Sequence, residues 1–72
     1  MKLRLETIRK AKKMSRAELS FYSGVAPETI YKLESGKTNW KKAPLETYLL
    51  LAKALKVKVI DILPIDIIKD IK

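Results

Sequence analysis

The chain has 72 residues, enough for one compact core and too few for a second domain. It contains no cysteine and no histidine, which excludes a disulfide framework and the commonest zinc ligands and suits a reducing, cytoplasmic setting. Sixteen Lys and Arg against 8 Asp and Glu give a formal charge of +8, which favours polyanionic partners, nucleic acid first among them.

A membrane surface attracts the same charge, but it calls for a basic amphipathic helix that the core does not need, and every helix here looks needed. A merely solvated lysine-rich surface is the plainer reading of the charge. No run approaches the roughly 18 apolar residues of a membrane span. The start MKLRLETIRK alternates charges with apolar residues, unlike a signal sequence, so a soluble, unprocessed protein is expected.

In chain order, Leu5, Ile8 and Ala11 form an apolar stripe among charged residues, predicting a first helix over Leu3 to Lys13. Ser15 followed by Glu18 is a capping box, so a second helix starts at Arg16. Its apolar positions are read as Ala17, Leu19 and Phe21, with Tyr22 near the end, and Gly24 closes it. Pro27 suits the first position of a third helix, where a missing N–H costs nothing, and Glu28 favours its first turn. That helix runs from Pro27 to Glu34, turns Ile30 and Leu33 inward, and exits at Ser35 and Gly36.

From Lys37 to Ala43 the chain turns polar and basic and reads as an exposed loop. Pro44 opens a fourth helix reaching Lys56, its inner face read as Leu45, Tyr48 or Leu49, Ala52 and Leu55. A short fifth helix is expected over Val59 to Leu63, broken by Pro64, with Ile65, Ile68 and Ile71 spaced for a further turn or two. Residues 1–64 are expected to form the domain and 65–72 an isoleucine-rich extension. No nucleophile, base or metal-ligand constellation is present, so no enzymatic activity, cofactor or metal site is expected, and nothing indicates a small-molecule ligand.

Two short helices joined by a tight glycine-containing turn suggest a helix-turn-helix. The run MSRAELSFYSGVAPETIYKLESGKTN, followed by PLETYLLLAKALKVKVIDIL, resembles the lambda-repressor-like, Cro-type helix-turn-helix family, also called the xenobiotic response element family. The resemblance covers Leu5 to Leu63 and includes Ser15, Glu18, Leu19, Gly24, Val25, Thr29, Ile30, Leu33, Glu34, Gly36, Leu51, Ala52 and Leu55. It implies an all-α, five-helix fold and sequence-specific binding of double-stranded DNA by a transcriptional regulator, taken as a repressor. The alternative is a protein-interaction module of the same fold, such as an antitoxin or a binder of a partner regulator, without its own operator. An acidic DNA-facing side of the reading helix would favour that rival, and on that side only Glu28 is acidic.

The resemblance also implies site residues. Pro27, Glu28, Tyr31 and Lys32 fall where the second helix of the motif faces base edges in the major groove, and residues 28, 31 and 32 share one helical face. Glu28 can accept from cytosine N4, or simply favour the helix dipole. Lys32 can donate to guanine O6 and N7, or meet phosphate. Tyr31 can pack on a thymine methyl, bond a phosphate, or be an ordinary surface residue. Arg16, Lys37, Thr38, Asn39, Lys41 and Lys42 are the phosphate candidates. Trp40 either closes the lower edge of the core or joins the surface of this loop.

Arg9 and Glu34 match a structural ion pair of the family. Four departures stand out. Ala26 lacks the usual capping side chain, Lys13 and Lys56 stand where glycine is common, the loop from Trp40 to Ala43 is long, and Leu50 replaces a charge. Leu50, with Ile65, Ile68 and Ile71, is the candidate face of a homodimer reading two half-sites, unless the isoleucines cover the monomer's own core.

Overall fold

The structure, a computed structural model, describes residues 3–64. Its elements are α1 (Leu5–Ala11), α2 (Arg16–Ser23), α3 (Pro27–Ser35), a 3-10 turn (Trp40–Lys42), α4 (Leu45–Leu55) and α5 (Val59–Ile62). The expected isoleucines 65, 68 and 71 lie outside the described residues. Among the described residues, no helix is long and apolar enough to cross a membrane.

Each helix contributes to one core. Leu5 of α1, Leu19 of α2, Ile30 and Leu33 of α3, Leu51 and Leu55 of α4 and Ile62 of α5 are essentially removed from solvent. Fully burying a side chain of this kind stabilises by about 1.5–3 kcal/mol. Helix α2 packs on α3 and α4, α1 rests on α3, and α5 on α4. The Arg4 N–H donates to the Ile62 carbonyl at 2.8 Å, tying the approach to α1 to the end of α5.

Local chemistry sets most boundaries. Ser15 Oγ accepts from the Glu18 N–H at 3.0 Å, and Glu18 Oε1 accepts from the Ser15 N–H at 2.9 Å, so the capping box starts α2 as its sequence implies. Gly24 (φ 78°) and Gly36 (φ 81°) end α2 and α3 in the left-handed conformation. Lys13 and Lys56 take it too, both at φ 58°, the conformation that the resemblance's expected glycines would adopt there. Asp61 accepts from the Lys58 N–H at 3.0 Å and starts the single turn of α5.

Several apolar positions differ from the sequence reading, for geometric reasons. Each step of three residues in an α-helix falls about 60° short of a full circle. Ala11 therefore drifts off the Leu5 stripe to the surface, and buried Arg9 takes the inner place. In α2, Ala17 and Phe21 lie two residues either side of Leu19, on the opposite face, and both are exposed along with Tyr22. In α4 the inner stripe is Tyr48, Leu51, Ala52 and Leu55, while Leu45 and Leu49 face outward.

Helix α1 is also shorter than read, because Lys12 and Lys13 already form the turn into α2. The loop after Lys37 is not wholly exposed. Asn39 Oδ1 accepts from the Lys41 N–H at 3.0 Å, the 3-10 turn follows, and half-buried Trp40 packs against the core. The hydroxyl of Tyr48 donates to the Trp40 carbonyl, pinning this turn to α4.

Candidate nucleic-acid interface

Helices α2 and α3 flank a short turn, Gly24 to Ala26, whose Val25 side chain is buried. Ser23, also buried, turns its Oγ to accept from the Val25 N–H at 3.1 Å, which stiffens the turn from within. Pro27 starts α3 without a side-chain cap, since Ala26 has no acceptor to offer. Ile30, Leu33 and Glu34 point inward, leaving Pro27, Glu28, Tyr31 and Lys32 on the solvent side. Helical periodicity makes this split, with 27, 28, 31 and 32 on one face.

Glu34 holds α3 in place. Its carboxylate accepts from Arg9 Nε at 2.6 Å and Arg9 Nη2 at 3.2 Å, and Arg9 Nη1 donates to the Met14 carbonyl at 2.7 Å. Both side chains are nearly inaccessible, at 7% for Arg9 and 2% for Glu34. The hydrogen bonds to Glu34 raise the Arg9 guanidinium above its ordinary value, against the desolvation that lowers it. The same carboxylate accepts from Arg16 Nε at 3.0 Å, so one buried acid serves cations from α1 and α2.

The outward face carries a mixed charge pattern. Lys32 Nζ lies 3.2 Å from Glu28 Oε1, one turn apart, with both side chains well exposed. Such a pair is worth about 0.3–0.5 kcal/mol, little enough for either partner to leave it for a base or phosphate. The Arg16 guanidinium lies 5.1 Å from the Tyr31 ring centroid and the Lys37 ammonium 5.2 Å from it. Beyond Gly36, an open cleft of about 440 Å³ is lined by Lys37, Thr38, Asn39, Trp40 and Lys41 over a floor of Leu3 and Leu33. Lys42 is exposed at the end of the 3-10 turn but does not line the cleft. Among the described residues, no group of acids forms a metal site.

The family model described as helix-turn-helix matches residues 5–62, from the first residue of α1 to the last of α5. The chain belongs to this Cro/C1-type helix-turn-helix family. Its five described helices make the lambda-repressor-like fold, and it is of the DNA-binding transcription-regulator kind. No curated protein and no solved structure matches the chain significantly.

In this helix-turn-helix protein α2 and α3 are the two helices of the motif. The structure gathers four of the six phosphate candidates around one cleft. Lys42 and Arg16 do not line it, but Arg16, on α2, approaches the same Tyr31 ring as the cleft residue Lys37. The family resemblance supplies the pairing of Arg9 with Glu34, 25 residues apart, but not the second arginine, Arg16, 18 residues from Glu34, and no local sequence pattern links those two. Leu50 is 38% exposed, as its place off the inner stripe of α4 implies.

Proposed function

We infer that this helix-turn-helix protein binds a specific operator in double-stranded DNA and represses transcription there, with α3 in the major groove. The observation that carries this reading is the division of α3. Its inner face is locked by Ile30, Leu33 and Glu34, while Pro27, Glu28, Tyr31 and Lys32 stand free of the core beside exposed Lys37, Lys41 and Lys42. A rigid helix offering a donor and an acceptor side chain, flanked by cations, suits base edges and phosphates together. In this reading Glu28 and Lys32 exchange their mutual ion pair for base contacts, and the loop cations meet phosphate.

The protein acts as a homodimer on two half-sites about one DNA turn apart, with exposed Leu50 contributing to the contact between copies. Selection of purified protein on a random duplex library tests the whole proposal. A recovered motif with two half-sites supports it, and a library without enrichment favours a protein-interaction module instead. Lys41→Ala is expected to weaken binding to all sequences and to lower the salt slope by roughly 0.9, the share of one phosphate contact. Glu28→Ala and Lys32→Ala are each expected to relax preference at one base pair, for about 1–3 kcal/mol.

A further inference from the structure

We propose that Tyr31 is a positioning residue, whose ring joins Arg16 and Lys37 into a two-cation clamp for the DNA backbone. The proposal rests on the DNA-binding reading above and assigns Tyr31 a job other than reading a base. Arg16 is the first residue of α2, and Lys37 directly follows the Gly36 exit of α3. They belong to different elements, yet both cations lie within about 6 Å of the same ring centroid, the range in which the ring quadrupole attracts them.

Arg16 is further fixed through Nε, which donates to buried Glu34. The remaining edge of the guanidinium, Nη1 and Nη2, has no protein acceptor among the described residues, and the side chain is 44% exposed. That edge has the fork geometry that binds two oxygens of one phosphate. Glu34 and Tyr31 thus restrain the arginine before DNA arrives, so less rotamer freedom remains to be lost on binding. A ring covered by guanidinium and ammonium groups is poorly placed to stack on a thymine methyl, which moves Tyr31 out of the base-reading set.

The test is the salt dependence of binding to a labelled mixed-sequence duplex of about two helical turns, roughly 20 base pairs. Removal of the ring by Tyr31→Leu is expected to lower the log–log salt slope by roughly 0.9 for each cation that loses its phosphate, up to about twice that. Tyr31→Phe keeps the ring and is expected to retain wild-type slope and affinity. In the Arg16→Ala, Lys37→Ala double variant, Tyr31→Leu should change the slope no further. Tyr31 is solvent-facing, and thermal melts of the variants establish that the binding data come from folded protein.

Three results overturn the clamp. Tyr31→Phe losing as much as Tyr31→Leu would place the function in the hydroxyl. An unchanged slope in Tyr31→Leu, with altered preference at one base pair in the selection assay, would make Tyr31 a base reader. A further slope change in the double-variant background would uncouple the ring from the cations. Wild-type protein that binds the duplex weakly and without salt dependence overturns the DNA-binding reading itself, a result distinct from the other three.

Discussion

Removing Glu34 should cost more than removing Arg9, because Glu34 has two cationic partners and Arg9 has one carboxylate. In Glu34→Leu, Arg9 keeps only the Met14 carbonyl while 93% of its side chain's surface stays inaccessible, the complement of the 7% observed. Breaking one half of a buried pair in this way costs about 3–5 kcal/mol. In Arg9→Met, Glu34 keeps Arg16 Nε at 3.0 Å, and the loss should be nearer the 1–3 kcal/mol of an incompletely satisfied buried group. The double variant strands neither charge and should lie within about 1 kcal/mol of wild type. For a domain of 72 residues, whose stability is roughly 4–11 kcal/mol, Glu34→Leu is therefore close to unfolding. At roughly 4–8 °C per kcal/mol its Tm should fall by at least about 12 °C. Urea denaturation followed by fluorescence of Trp40, the single tryptophan and half-buried against the core, reports all three variants. Glu34→Leu within about 1 kcal/mol of wild type, or Arg9→Met costing more than Glu34→Leu, refutes the hub geometry.

Three further outcomes follow from the backbone and from Tyr48. Lys13→Gly and Lys56→Gly relieve left-handed backbone at φ 58° and should each raise stability by about 0.5–1 kcal/mol in denaturant melts; a loss at either site would contradict the strain. Ala26→Ser supplies the missing acceptor at the start of α3 and should stabilise by about 0.5–2 kcal/mol, provided the Ser hydroxyl bonds the N–H of the first turn, which amide exchange reports. Burial pushes the Tyr48 phenol above its ordinary value, so the unfolded chain gives up that proton first. Its contribution is intact below about pH 10 and is lost as pH rises through the folded value. Tyr48→Phe should lose about 0.5–1.5 kcal/mol at neutral pH with the bond to Trp40, and its stability should decline less steeply than wild type in alkali.

What could be read in advance was local. Ser15 with Glu18, the two glycines and Pro27 specify their conformations within four residues, and the bounds of α2 and α3 follow from them. The errors come from faces and from distance. Phe21 is apolar and near Leu19, but proximity of two residues in a helix means opposite sides. Tyr48 and Leu49 were equivalent by composition, and the choice between them depends on where α2 lies across α4. Trp40 sits in a polar stretch whose 3-10 turn is anchored by the Tyr48 hydroxyl, a partner eight residues away. The Arg16 bridge to Glu34 required the turn between α2 and α3 to be folded before it could be seen. The outward set Pro27, Glu28, Tyr31 and Lys32 comes from the family resemblance, and helical phase agrees with it by putting 28, 31 and 32 on one face.

The separation of α3 into an anchored side and a free side also has a consequence for how such a protein changes its target. Pro27, Glu28 and Lys32 are exposed, so in the proposed DNA-binding reading exchanging Glu28 and Lys32 alters the address being read and spares the core, while a replacement at Pro27 must still start α3. Tyr31 breaks this independence, since replacing it disturbs two cations on neighbouring elements. Re-addressing the protein is therefore a three-position problem with a fixed fourth, and libraries that randomise 27, 28 and 32 around a retained aromatic at 31 should yield more working readers than libraries that vary all four.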